Sequence, residues 1–194
     1  MAGDAVAWSG EQALRRATIG EPTRVDGPVT LVEYDPRWPA LFAGEAARIR
    51  AALGARALLV EHVGSTAVPG LVAKPIIDVV LAVADSADEA AYVPGLARAG
   101  YVLRIREPAW HQHRMLRGRD PEVNLHVFTI GSPEIGRLLA FRDRLRSVEE
   151  DRERYAAAKR SLARREWRYL QEYADAKTRV VEEIVARGAS GAGG

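Results

Sequence analysis

The sequence predicts an α/β fold of the α+β kind: a mixed β-sheet with flanking helices and a helical C-terminal segment. Three observations lead there. The elements run strand, helix, strand, strand, helix, strands, then helices only, with just a small-residue stretch between the second and third strands. A doubly wound dinucleotide fold separates parallel neighbours by a helix, so that short step argues for a mixed sheet. Pro75–Ala84 is a nearly continuous apolar run with one charge, Asp78, the pattern of a central strand buried on both faces. From Ser132 onward apolar residues recur at helical spacing: Leu138, Leu139 and Phe141, then Tyr155 and Leu162, then Tyr173, Val180, Val181 and Ile184.

Each element follows from local chemistry. Ser9 is placed to cap a short helix over Gly10–Ala17, and Gly20, Pro22, Gly27 and Pro28 then punctuate a linker. Val29–Tyr34 reads as a strand. Asp35 caps the next helix, with Pro36 at its first position, and the helix runs to Leu53 before Gly54. Ala57–Val63 is a strand and Gly64–Gly70 a loop. After Pro75–Ala84, Ser86 and Glu89 have capping-box spacing for a helix reaching Ala99. Tyr101–Ile105, Arg114–Arg117 and Val123–Ile130 read as strands. Helices follow over Pro133–Leu145, Glu149–Arg165 and Trp167–Ala186.

The 194 residues, 47% hydrophobic and 28% charged, suit one domain with its own core. We divide them into an extension over residues 1–27, a domain over 28–187 and a tail over 188–194. With no cysteine, disulfides, thiolate metal sites and cysteine nucleophiles are excluded. The first residues lack a basic start followed by an apolar run, and no apolar stretch reaches membrane-spanning length, so the expected location is cytoplasmic. The net charge is only +2 and the charges interleave, as in Arg142-Asp143-Arg144, so no strong nucleic-acid signal is present.

The segment most able to carry chemistry is His62-Val63-Gly64-Ser65-Thr66, followed by Lys74 and Asp78. Glycine after a strand lets backbone N–H groups approach a phosphate, and Ser65 and Thr66 add hydroxyls. Lys74 supplies positive charge. An acid in an apolar strand needs a cationic or metal partner. The same residues also fit a plain turn with an Asp78–Lys74 pair. The four histidines, His62, His111, His113 and His126, permit a three-histidine zinc site, but His126 suits a general base better. Arg114, Arg117 and Arg119, with Arg104 and Arg106 nearby, fit either phosphate binding or a charged strand edge. Trp38 reads as a packing anchor. Tyr155 and Tyr173 read as core, with Lys159 and Lys177 snorkelling to solvent or Lys177 reaching the pocket.

The segment EHVGSTAVPGLVAKPIIDVVLAV closely resembles the GrpB family signature. The resemblance extends from VEYDPRWPALF before it through NLHVF, LLAFRDRLR and YAAAKRSLA to YADAK, covering about Val29 to Ala186. It implies a nucleotidyltransferase-like fold, in which Gly-Ser after the first core strand holds a triphosphate and strand acids hold divalent metal. Carried over by residue, Gly64 and Ser65 match the Gly-Ser element and Asp78 the first acid. The second acid falls on Val80, and the third is expected on the strand that offers Asn124 and His126.

The implied site is therefore Asp78 and His126 as catalytic residues, with Asp78 holding Mg²⁺. Gly64, Ser65, Thr66, Lys74, Arg114 and Lys177 bind the nucleotide. The implied function is binding of ATP or another nucleoside triphosphate, and transfer of its nucleotidyl group to, or adenylate formation on, a small-molecule acceptor. The alternative is a non-catalytic nucleotide- or coenzyme-binding or folding-accessory domain, like that fused to some dephospho-CoA kinases. The kinase activity itself is excluded, since no Gly-x-x-x-x-Gly-Lys-Ser/Thr pattern is present.

Overall fold

The computed structural model describes residues 10–191. Its elements are α1 (Glu11–Ala17), β1 (Arg24–Gly27), α2 (Trp38–Leu53), β2 (Leu59–Val63), β3 (Ile77–Val83), α3 (Glu89–Arg98), β4 (Val102–Glu107), β5 (His113–Gly118), β6 (Val123–Thr129), α4 (Pro133–Ser147), α5 (Glu149–Ala163), β7 (Trp167–Tyr169), α6 (Leu170–Asp175) and α7 (Thr178–Gly191). Among the described residues, the main sheet has the order β2-β3-β6-β5-β4. Only the β3–β6 pair is parallel. A mixed sheet flanked by helices is thus what the chain forms.

Alternation along the strands gives the sheet two different faces. Val79, Leu81 and Val83 of β3, with Leu125 and Val127 of β6, face Ile49 and Leu53 of α2 and Tyr92 and Leu96 of α3. All of these are buried, and together they form the largest core. Val63, Val80, Ala82 and Phe128 point the other way, against Ile135, Leu138 and Leu139 of α4. Asp78, Asn124 and His126 share that second face. A third cluster decides what covers them. Val68, Leu71 and Val72, from the loop between β2 and β3, pack with Phe141, Leu145, Tyr155, Ala156 and Ile184. The apolar side chains of that loop therefore bring α5 and α7 over the acid-bearing end of β3.

Several expectations shift for identifiable reasons. Val29–Tyr34 is not a strand. The Val29 N–H goes to the Ala163 carbonyl, and only Val32 makes a bridge, to Ala73. Pro36 does not open α2: Asp35 Oδ1 accepts from Arg37 N at 2.8 Å in a side-chain turn, and the helix begins at Trp38 with Pro39 in its first turn. Ser86 and Glu89 make no capping box, because long-range partners take both. Ser86 Oγ donates to the Gln112 carbonyl at 2.9 Å, and Glu89 pairs with Arg106 and Arg114, each at 2.6 Å. The last expected helix is split. Trp167–Tyr169 pairs antiparallel with β1, and Glu172 then accepts the Tyr169 N–H at 3.0 Å to start α6. Ser9 and the last three residues lie outside the described part. No helix among the described residues is long and apolar enough to cross a membrane.

Candidate functional site

The register of β2 on β3 places Val63 opposite Asp78, so the turn that follows β2 begins beside that acid. Gly64 is required there twice over. Its φ of +69° is one that side chains rarely adopt, and a Cβ on it would sit 2.4 Å from Asp78 Oδ2. Ser65–Ala67 then forms one tight helical turn. Thr66 is buried and already occupied. Its hydroxyl donates to the Ile76 carbonyl at 3.2 Å, so the 3.0 Å contact with His62 has His62 Nε2–H as donor. The expected ligand role of Thr66 gives way to a structural one, tying the turn to the start of β3. Ser65 stays half-buried and faces the Tyr155 hydroxyl.

Asp78 is the second residue of β3, and its side chain keeps 30% of its surface exposed. Asn124, its register partner on β6, donates Nδ2–H to Oδ1 at 2.9 Å. His126 Nε2 lies 3.9 Å from the same oxygen, an ion-pair distance rather than a hydrogen bond. Burial raises the Asp78 pKa, but His126, Asn124 and Lys74 outweigh it and hold the carboxyl below its ordinary value.

Around this single acid stand three lysines. Lys74 enters from the loop before β3, Lys159 from α5 and Lys177 from the turn between α6 and α7. Lys159 is 2% exposed, and its Nζ donates to the Val72 carbonyl. The lysine Nζ atoms also lie over aromatic rings, Lys177 at 4.5 Å and Lys74 at 5.7 Å from the Tyr173 centroid, and Lys159 at 5.4 Å from that of Tyr155. Among the described residues, none of the three comes within 4.0 Å of a carboxylate. Burial is the main cause that lowers all three pKa values. It brings Lys159 to about 6, helped by repulsion from Lys177, and Lys177 to about 8, helped by repulsion from Lys74. The Tyr173 hydroxyl in this cluster is buried with no hydrogen-bond partner among the described residues.

Lys159 does not snorkel. Its signal in the sequence is a spacing used twice, Tyr155-Ala-Ala-Ala-Lys159 and Tyr173-Ala-Asp-Ala-Lys177, in which the lysine falls one helical turn after the tyrosine. Each lysine rests on the ring of its own tyrosine.

The donor set does not fit a protein-held Mg²⁺. Val80 is buried in the core, Asn124 occupies the place where a third acid was expected, and Asp78 is left as the one strand acid, facing three lysine side chains. Mg²⁺ needs more anionic oxygen than that, and lysine charge opposes it. The zinc arrangement fails as well. His62 lies on the opposite sheet face, stacked on Phe42 at 4.7 Å, and burial lowers its pKa to about 4. His111 sits exposed on a turn. No group of three His, Cys, Asp or Glu side chains among the described residues is placed to hold a metal. Arg114 is also elsewhere, buried on the α3 side of the sheet against Glu89. The expected residues that do meet are Gly64, Ser65, Lys74, Asp78, His126 and Lys177, joined by Asn124, Tyr155, Lys159 and Tyr173.

The family described as GrpB protein matches residues 28–187. The chain belongs to the GrpB family. It is 57% identical over 177 residues to a UPF0157 protein of Halalkalibacterium halodurans, covering 91% of each chain. It is 43% identical over 169 residues to one from Streptomyces coelicolor, covering 87% of this chain and 88% of that one. The GrpB protein of Enterococcus faecalis, known from a crystal structure, superposes with a TM-score of 0.68 at 30% identity, over 82% of this chain and 96% of that chain. A dephospho-CoA kinase of Mycolicibacterium paratuberculosis is 34% identical over 165 residues. That match takes 71% of this chain but only 40% of the kinase, so the GrpB domain is related to one part of a longer enzyme.

Proposed function

We propose that this chain binds a nucleoside triphosphate such as ATP by its polyphosphate, held by the Gly64-Ser65 turn and by Lys74, Lys159 and Lys177. We propose further that it transfers the nucleotidyl group to a small acceptor carrying a hydroxyl. The observation that carries the reading is the convergence on one strand acid of three lysine side chains that have no ion-pair partner among the described residues. Burying unpaired positive charge is unfavourable, and a bound polyanion offsets that cost. The lysines then supply the charge that carboxylate-held metal supplies in a two-ion site. Mg²⁺ arriving on the triphosphate is held by the ligand's own oxygens and water. In the transfer the acceptor oxygen forms a bond to the α-phosphorus and its proton goes to His126 Nε2. The bond to the β-phosphate oxygen breaks, and pyrophosphate leaves.

Val80 and Asn124, standing where two acids were expected, favour a second reading: binding without turnover, as an accessory domain akin to the part shared with dephospho-CoA kinase. Titration calorimetry with ATP and tripolyphosphate tests the binding. We expect both to bind in the presence of EDTA, and Lys177→Met to weaken both. Pyrophosphate release with hydroxyl-bearing acceptors separates the two readings. Release supports transfer, whereas binding without release across an acceptor panel supports the accessory role.

A further inference from the structure

Behind His126 lies a line of ionisable side chains on the site face of the sheet. His126 Nδ1 is 3.1 Å from His113 Nε2, and His113 Nδ1 is 2.5 Å from Glu107 Oε2. The line crosses three strands, β6, β5 and β4, and its inner members are buried, His113 at 4% and Glu107 at 7% exposure. The rings cannot easily turn away. His113 stacks on Phe128 at 4.8 Å and on His126 at 5.3 Å, and the Trp110 edge closes on it at 5.1 Å. A solitary general base needs only its own imidazole. A buried carboxyl and a second buried imidazole in series exceed that need, and both must be hydrogen-bonded to be tolerated.

We infer that Glu107 and His113 are positioning residues of a proton relay, which ends at His126 Nε2 beside Asp78 and carries the proton released there to the buried carboxylate of Glu107. It rests on the proposed use of His126 as the proton acceptor.

Two hydrogen-bond arrangements satisfy the line. In one, the Glu107 carboxylate accepts from His113 Nδ1–H, His113 Nε2 accepts from His126 Nδ1–H, and His126 Nε2 is bare on the Asp78 side. This is the basic state. In the other, Glu107 is protonated and donates to His113 Nδ1, His113 Nε2–H donates to His126 Nδ1, and His126 Nε2–H points at Asp78. A proton arriving at bare Nε2 releases the Nδ1 proton of His126 to His113 Nε2, and the Nδ1 proton of His113 passes to Glu107. Both imidazoles are neutral before and after, and one proton has moved from the acceptor to Glu107.

The surroundings favour that resting place. Burial raises the Glu107 pKa to about 8, and Asp175 of α6 pushes it in the same direction. Burial also drives His113 well below its ordinary value, with His126, Arg114 and His111 adding to the effect. Asp78 Oδ1 stands 3.9 Å from the His126 Nε2 end of the line. A proton therefore rests on Glu107 rather than as a charge on His113.

Nitrogen-15 NMR of the two rings tests this in the full chain, between pH 6 and 10. In the wild type the two His113 nitrogens are expected to exchange donor and acceptor roles with a midpoint near pH 8, as Glu107 gives up its proton, and the single hydrogen on the His126 ring moves from Nε2 to Nδ1 in the same step. In Glu107→Gln and in His113→Gln the His126 midpoint should disappear. Tripolyphosphate affinity should hold in both variants, because the lysines are untouched. A wild-type His126 Nε2 that does not change across this range overturns the relay, as does the same midpoint in either variant. The wild-type titration alone decides if neither variant folds. Loss of polyphosphate binding with the tautomer exchange intact sinks the binding reading and leaves the relay standing.

Discussion

Replacing Lys159 by methionine should make the protein more stable and less able to bind its ligand. The length of the side chain is kept and the charge removed. At pH 7 an unfolded lysine carries its proton, whereas Lys159, lowered to about 6 by burial, has largely lost it in the fold. Holding it deprotonated against an ordinary value of 10.5 costs about 5 kcal/mol at that pH. The variant leaves the Val72 carbonyl without the Nζ donor, a penalty of about 2 kcal/mol for a buried acceptor. The net gain is about 3 kcal/mol at pH 7, or roughly 6–12 °C in Tm for a chain of this size.

The sign reverses the usual expectation for a buried lysine partnered by an acid. Below 10.5 the unfolded chain binds a proton that the native chain, above about 6, does not. Stability due to this group is therefore lost as pH falls from 10.5 towards 6, and the advantage of Lys159→Met should shrink to near zero by about pH 9. Urea unfolding of the two proteins at pH 7 and pH 9 measures this. The same variant should bind tripolyphosphate about 30-fold more weakly, the loss of one charge-assisted contact. A Lys159→Met protein that is less stable than the wild type at pH 7, with unchanged tripolyphosphate affinity, refutes the reasoning. It would make the ammonium a structural strut.

Three further outcomes follow. Binding of tripolyphosphate at pH 8 should take up roughly one to two protons, because the bound polyanion raises Lys159 and Lys177 from about 6 and about 8. Calorimetry in Tris and in HEPES reads this as a buffer-dependent heat, and equal heats contradict it. Gly64→Ala combines the +69° backbone with a Cβ 2.4 Å from Asp78 Oδ2, and should destabilise the fold by about 3 kcal/mol in urea unfolding. A loss under about 0.5 kcal/mol would mean that the turn adapts freely. Asp78→Asn should leave tripolyphosphate affinity in EDTA equal to or tighter than the wild type, because the acid competes with the ligand for the lysines. A loss of more than about tenfold would restore Asp78 as a ligand-holding residue.

The parts of the fold legible in the sequence are those governed by local pattern. The apolar run around β3 and the alternation of β6 reappear as the paired centre of the sheet, because each fixes both a strand and its burial. What escaped depends on long-range partners. Ser86 and Glu89 had the spacing of a capping box but were taken by Gln112, Arg106 and Arg114. Trp167–Tyr169 adjoin a segment of helical periodicity but were taken into a ribbon with β1.

The site shows the same division. Gly64, Ser65, Lys74 and Asp78 lie within one short segment and were readable together. Lys159 is equally central, yet a lysine on an amphipathic helix ordinarily reaches solvent. Nothing local says that the loop residues Val68, Leu71 and Val72 pack on α5 and α7 and bury it. The Glu107–His113–His126 line was hidden for a related reason. Its members sit on three strands, and only the register sets them in a row.

The measurement closest to the centre of the account is a calorimetric titration of the wild-type chain with tripolyphosphate at pH 7 in EDTA. The lysine cluster predicts saturable binding of one anion per chain, weakened by added salt. No heat of binding up to millimolar tripolyphosphate, or binding that appears only when Mg²⁺ is added, would contradict it.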